Sequence, residues 1–207
     1  LDDIWVLGVD DGGKMVWDHT YGGAGLEHAQ GIARLPDGDL LLGGDTWAAG
    51  AMDMDALLIR TDALGKAKWQ KVFNHPWHAS NVDVFVSGQN VTLIGSEESK
   101  DEVFRFYVLR TDATASKFSV QTWADVAAES FLGRGALTPD GGLILAGGKG
   151  SDDGMDGWIL RTDANGASDC ACTDLPPEGC EDGNVCTDDA RLDRKSAPLV
   201  ERCLGSI

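Results

Sequence analysis

The sequence predicts an all-β chain made of repeated antiparallel units, and three observations lead to this prediction. Four segments share an apolar strand followed by a turn that begins with Asp: residues 3–17, 55–69, 105–120 and 156–166. The aspartate of this turn recurs at intervals of 52, 50 and 51 residues, at Asp10, Asp62, Asp112 and Asp163. The 27 glycines of the 207-residue chain suit many tight turns between short strands.

A period of about 50 residues made of short strands is typical of a β-propeller, whose four-stranded antiparallel blades surround an axis. We therefore expect residues 1–166 to form a propeller-type array of about three to four blades and residues 167–207 to form a Cys-rich C-terminal segment. Propellers typically close with about four to eight blades. We expect a second copy or another chain to complete the ring. The alternatives are a piece of a longer propeller and an open array capped by the C-terminal segment.

The strands can be predicted in order along the chain. Residues 4–17 supply two strands, and the next unit has four, at residues 31–35, 39–44, 56–61 and 66–73. The third unit again has four, at residues 82–87, 90–95, 106–111 and 117–123. The last has three, at residues 133–138, 143–148 and 158–162. Pro-Asp-Gly and Asp-x-x-Gly signal the hairpins, because Gly adopts positive φ and Asp caps its own turn.

The chain is strongly acidic, with a formal net charge of −17. Phosphates repel such a surface, so we expect neither a nucleic-acid partner nor binding to anionic membranes. No apolar run approaches the roughly 18–20 residues that span a bilayer. The charge suits cations, basic proteins or neutral sugars, and we expect a protein or glycan partner.

All five cysteines follow the last repeat: Cys170, Cys172, Cys180, Cys186 and Cys203. Clustering in a polar segment indicates disulfides, and hence an oxidising, extracellular or cell-surface location. Zinc is the competing interpretation, but the cluster has no neighbouring His and no paired Cys-x-x-Cys. The odd number leaves one thiol free or paired outside this chain.

Two kinds of tryptophan can be distinguished. Trp17 and Trp69 occupy the same place in their repeats, which predicts core packing between units. Trp47 and Trp77 fall in predicted loops. A tryptophan in a loop favours ligand binding, so these two are candidate contact residues.

The pattern Asp-x-x-Gly-Lys-x-x-Trp, at residues 10–17 and 62–69, resembles the repeats of bacterial secreted and cell-surface β-propellers. The resemblance covers residues 3–166. It is also similar to the tryptophan-docking repeat of quinoprotein dehydrogenases, although this chain lacks the adjacent cysteine pair often found in those enzymes. Residues 180–189 (CEDGNVCTDD) resemble short Cys-rich segments in surface proteins of myxobacteria-like bacteria.

The loop between the second and third strands of each unit is acidic and contains Asp45 in the first full unit and Glu97 in the next. The candidate metal ligands are Asp53, Asp55, Asp152, Asp153 and Asp156. Their oxygens suit Ca²⁺, the one cofactor that the sequence suggests. His28 and His78 lie one repeat apart in links expected on the same face, where imidazoles would suit a transition metal. The alternative is a set of solvated loops without a ligand.

We expect a non-catalytic binding or scaffold module of an exported bacterial surface protein, presenting an acidic loop face. The expected contact residues are Trp47, Trp77, His28 and His78. The alternatives are an enzyme subunit of quinoprotein or glycan-hydrolase type and a lectin. Gly-x-Ser-x-Gly and His-Glu-x-x-His motifs are absent from the sequence.

Overall fold

The computed structural model describes residues 2–47, 54–74, 78–98, 104–123, 130–151 and 154–167, and the fold within these ranges is all β. The strands are β1 (Ile4–Val9), β2 (Met15–Tyr21), β3 (Leu26–Arg34), β4 (Leu40–Trp47), β5 (Asp55–Thr61), β6 (Ala67–Phe73), β7 (His78–Ser87), β8 (Asn90–Glu98), β9 (Phe104–Asp112), β10 (Phe118–Trp123), β11 (Ser130–Leu137), β12 (Leu143–Ser151) and β13 (Gly154–Thr162). Within these ranges, none of the residues belongs to a helix that could span a membrane.

The strands form four sheets, each an antiparallel meander. The first sheet is β1-β2, the second β3-β4-β5-β6, the third β7-β8-β9-β10 and the fourth β11-β12-β13. Neighbours in space are neighbours in sequence, so short hairpins can make the connections within a sheet. The prediction of antiparallel units with two, four, four and three strands is confirmed for the described residues.

An aspartate closes the hairpin between β5 and β6. The Asp62 carboxylate accepts hydrogen bonds from the backbone N–H groups of Leu64 and Lys66, each 2.9 Å long. Gly65, with φ +82°, donates its N–H to the Asp62 carbonyl at 3.0 Å. Repeat-equivalent bonds occur at Asp10 and Asp163. The turn signal in the sequence therefore acts through the side chain of the aspartate as well as through the glycine.

The sheets pack face to face in chain order, with an apolar cluster at each junction. Between the first and second sheets, the buried residues are Ile4, Tyr21, Leu42, Leu57 and Ile59. Between the second and third, they include Leu41, Leu58, Phe73, Leu93, Tyr107 and Leu109. Between the third and fourth, they include Ile94, Phe106, Val108, Leu143, Leu145 and Leu160. The middle strands of the inner sheets are thus buried on both faces.

A β-bulge interrupts the first strand of the second, third and fourth sheets. The register shifts between Ala29 and Gly31 in β3, and between Asn81 and Asp83 in β7. In β11, the shift lies between Leu132 and Arg134. A bulge absorbs one residue and lets pairing continue beyond it. These strands therefore begin three to five residues before their predicted starts, since β3 begins at Leu26, β7 at His78 and β11 at Ser130.

The prediction that His28, Trp47 and His78 lie in loops was wrong. His28 lies within β3, Trp47 ends β4 and His78 begins β7. Asp55 begins β5, and Asp156 lies within β13. The strands continue past their apolar stretches because polar residues pair across the ladder there, as His28 does with Asp45.

Each junction includes a hydrogen bond to the aspartate turn of the following sheet. The Tyr21 hydroxyl donates to the Gly65 carbonyl. Arg60 Nη1 donates to the Ala113 carbonyl at 2.9 Å, and Gln121 Nε2 donates to the Gly166 carbonyl at 3.0 Å. The turn that closes one hairpin therefore also holds the preceding sheet.

We predict that Gly65→Ala destabilises the fold more than Gly13→Ala does. Both glycines have positive φ and occupy the same place in the turn, but a Cβ at Gly65 would lie 2.6 Å from Trp17 and His19 atoms, whereas at Gly13 it would meet nothing within 4 Å. We expect losses of about 3 kcal/mol and about 1 kcal/mol in the free energy of unfolding, respectively. Urea titrations measure both, and equal losses would show that the junction at Gly65 contributes no constraint.

Candidate functional site

A histidine and a buried carboxylate pair across β3 and β4. His28 Nδ1 lies 2.9 Å from Asp45 Oδ1, and the two residues are cross-strand neighbours. The Asp45 carboxylate is buried, whereas the His28 side chain is 43% exposed. The carboxylate therefore holds an imidazole that solvent still reaches.

An aromatic pair lies at the same ends of the strands, where the second and third sheets meet. Trp47 and His78 make an edge-to-face contact with ring centroids 6.4 Å apart and planes at 90°. The Met54 N–H donates to His78 Nδ1 at 3.4 Å, and the Met54 carbonyl accepts the Ala79 N–H at 2.9 Å. Trp47 remains 41% exposed. The start of β7 is thus hydrogen-bonded to Met54, the residue before β5, and the Trp47 indole faces solvent.

Three buried polar residues underlie this edge. Tyr107 is fully buried, and so are Glu97 and Asp45. Burial raises the pKa of the Tyr107 hydroxyl, and the negative charges of Asp45 and Glu97 raise it further. The phenol therefore stays protonated through the whole neutral range and keeps its proton to donate. The prediction that Asp45 and Glu97 lie in loops was wrong: they lie in β4 and β8, and stacking of the second and third sheets covers both carboxylates.

We call His28, Asp45, Trp47, His78, Glu97 and Tyr107 the strand-end cluster. The structure thus brings three of the four predicted contact residues to one edge. Tyr107 was not among the site residues predicted from the sequence. The equivalent positions of the neighbouring units are Leu57 and Trp158, neither of which carries a hydroxyl. The hydroxyl of Tyr107 was therefore the one sequence signal that polar partners lie near this position.

Several predicted site residues lie outside the described residues: Trp77, Asp53, Asp152, Asp153, Cys170, Cys172, Cys180, Cys186 and Cys203. In the backbone ladders, Asp55 is the register partner of Thr46, and position 156 is the register partner of position 149. Among the described residues, no group of three or more His, Cys, Asp or Glu side chains is arranged to hold a metal ion.

Sequence reasoning missed a further buried carboxylate, that of Glu27, which lines a small cleft beside the second sheet. Glu27 Oε1 accepts the Thr46 hydroxyl at 3.0 Å, and Oε2 accepts the Gly23 N–H at 3.1 Å. Both carboxylate oxygens of Glu27 are thus hydrogen-bonded within the fold. Glu27 in this way connects β3 to β4 and to the segment between β2 and β3.

Paired charges lie at the opposite ends of the strands, near the β3–β4 and β5–β6 turns. Arg60 binds Asp39 through Nε at 2.7 Å and Asp37 through Nη2 at 2.5 Å, and Lys68 Nζ lies 2.6 Å from Asp39. The hydrogen bond from Lys68, followed by that from Arg60, holds the pKa of Asp39 below its usual value. Arg161 binds Asp140 at 2.8 Å in the same manner in the fourth sheet.

The equivalent arginine of the third sheet, Arg110, has a different environment. A two-residue turn at Gly88 and Gln89 replaces Pro-Asp-Gly, so the acids found in the other units are absent there. Arg110 Nη2 is buried and has no hydrogen-bond partner among the described residues. Burial also lowers the pKa of Arg110, as expected for a cation that is removed from water.

We predict that Asn90→Asp stabilises the protein. Asn90 occupies the place of Asp39, since Val91 and Leu40 pair with equivalent threonines of β9 and β5. A carboxylate there would pair with the Arg110 guanidinium as Asp39 pairs with Arg60 Nε, and it would raise the free energy of unfolding by about 1 kcal/mol. Thermal and urea unfolding measure the gain. In an Arg110→Met background the same change should give no gain, and an undiminished gain there would disprove the pairing.

We predict that acid destabilises the fold below about pH 4, near the usual pKa of an unfolded aspartate. Hydroxyls of Ser116 and Thr114 lower the pKa of Asp112, and the Ala167 N–H lowers that of Asp163. A depressed folded pKa gives stability that is present above the unfolded pKa and is lost as pH falls through the folded pKa. Melting temperatures from pH 6 to pH 2 should show this loss.

The control is Asp163→Asn, which keeps an acceptor oxygen in the turn but removes its titration. The melting temperature of this variant should depend less steeply on pH below about pH 4. A slope equal to that of the unsubstituted protein would exclude Asp163 as a contributor.

No protein-family model matches the chain, and no curated protein matches it.

Proposed function

We propose that the four sheets are successive sectors of a β-propeller-type array. Three features support this arrangement: each sheet is a meander, the sheets stack in chain order, and every junction uses the aspartate turn of the following sheet. The first strands also meet one another, since β7 contacts both β3 and β11. The innermost strands of a propeller have this relation, because they surround the common axis.

We propose further that the array is a non-catalytic binding or scaffold module and that the strand-end cluster is its contact surface. The observation that carries this proposal is the Trp47 indole, which is 41% exposed and held against His78 at the junction of two sheets. An aromatic side chain supplies a large contact area at a small entropic cost, and neighbouring imidazoles supply hydrogen bonds. Because these residues lie on paired strands, the surface is ordered before a ligand binds.

The proposed partner is a protein or glycan of neutral or basic character. The net charge of −17 disfavours acidic partners, and the indole offers a face on which a sugar ring can stack. The proposal includes an exported, cell-surface setting. Its support is the clustering of five cysteines within residues 167–207.

The test is binding of the full chain to an array of neutral oligosaccharides and to an array of cationic peptides. For any probe that binds, we predict that Trp47→Ala weakens affinity at least about tenfold, a loss of about 1.4 kcal/mol. Surface plasmon resonance on the same probe gives the dissociation constants.

Leu64→Ala is the matched control, since Leu64 is an exposed apolar residue in the Asp62 turn, at the opposite edge of the second sheet. This variant should bind as the unsubstituted chain does. Equal affinity of the Trp47→Ala variant, or binding to neither array, would contradict the proposed contact surface.

A further inference from the structure

The two outward faces of the sheet stack expose large apolar side chains. On β1 of the first sheet, Trp5 is 61% exposed and is followed at alternate positions by exposed Leu7 and Val9. On β13 of the fourth sheet, Ile159 is 70% exposed. Three residues in alternation share one face of a strand, so the first sheet presents a continuous apolar strip.

The repeat-equivalent positions of the inner sheets are core. Trp5 and Leu7 correspond to Leu57 and Ile59, which are buried against the first sheet. Ile159 corresponds to Val108, which is 0% exposed against the fourth sheet. The face of the first sheet is therefore one half of the junction that recurs three times in this molecule, and the face of the fourth sheet is the other half.

We propose that a second copy of this chain covers both faces, with the fourth sheet of each copy packed on the first sheet of the other. The inference rests on the propeller-type array proposed above. It continues the chain-order packing that the sheets already show at three junctions, and it places β13 against β1, the two strands that correspond to β5 and β9 of the inner sheets.

The shapes of the two faces suit such a junction. Between the third and fourth sheets, Trp158 stacks on Phe106 with ring centroids 4.5 Å apart. The corresponding pair at the proposed junction is Trp5 against Gly157, since these occupy the same places in their repeats. A Cβ at Gly157 would meet nothing within 4 Å, so that position has space for an indole.

The charged residues of the two outward faces also suit the proposed junction. Between the second and third sheets, Arg60 donates to the carbonyl of Ala113 in the aspartate turn. At the proposed junction the corresponding residues are Arg161, which also binds Asp140, and Asp11. An acidic residue in place of alanine adds an opposite charge where the arginine would arrive.

Two such junctions close a two-fold ring of eight sheets. The contact is between different faces, so it closes only if the rotation between copies completes a circle, and otherwise it gives open chains. Eight sectors lie within the range of about four to eight blades in which propellers close. We therefore expect a closed dimer without larger species.

Native mass spectrometry and sedimentation of the full chain test this expectation. The unsubstituted chain should be a dimer, and Trp5→Glu or Ile159→Lys should each raise the dimer dissociation constant at least about tenfold, because each places an unpaired charge in both junctions. Leu64→Glu, an equally exposed position outside both faces, should remain dimeric.

Mixing gives the decisive measurement. A heterodimer of the Trp5→Glu and Ile159→Lys chains has one unsubstituted junction and one in which Glu meets Lys, so mixing two monomeric variants should restore a dimer. A misfolded variant would not recombine. A monomeric unsubstituted chain, variants that stay dimeric, monomers that do not recombine, or a concentration-dependent series of larger species would each overturn the closed dimer.

The outcome is separable from that of the binding experiment. Trp47→Ala alters the strand-end cluster and neither outward face, so that variant should lose its ligand and remain a dimer. A monomer that retains Trp47-dependent binding would overturn the dimer alone, whereas a dimer without Trp47-dependent binding would overturn the contact surface alone.

Discussion

Burial of both faces of the middle strands is the constraint on which the rest of the structure depends. Leu57 and Leu58 are consecutive in β5, point to opposite sides of the second sheet, and are 3% and 0% exposed. Burial of apolar surface stabilises by about 25 cal/mol per Å². A sheet of this composition therefore needs a neighbour on each side, and no single sheet would retain its stability alone. The stability of the fold consequently resides largely in the junctions between sheets.

The aspartate turn contributes both to the hairpin that contains it and to the packing of that hairpin on the preceding sheet. Its carboxylate satisfies two backbone N–H groups within the hairpin, as Asp62 does for Leu64 and Lys66. Its outward carbonyls remain available, and Tyr21 of the preceding sheet donates to the one at Gly65. A short sequence motif thus determines the hairpin and also provides an acceptor that orients the next junction.

Polar residues lie at the strand ends opposite the aspartate turns, because the strands extend beyond their apolar stretches. Burial of a carboxylate is unfavourable unless it is paired or hydrogen-bonded. Asp45 is paired with His28, so its burial is compatible with a stable junction. The consequence is an edge at which Trp47 and His78 are held in place by strand pairing and ring contact, above buried acids and a protonated phenol.

The number and order of the strands and the positions of the hairpins were predictable from the amino-acid sequence, because turn chemistry and short apolar runs are local properties. The bulges in β3, β7 and β11 carried no comparable signal, so the predicted strand starts were late. The burial of Asp45 and Glu97 and the exposure of Trp5 and Ile159 follow from the packing of the sheets. Those outcomes depend on which sheet covers which face, and that is a contact between residues far apart in the chain.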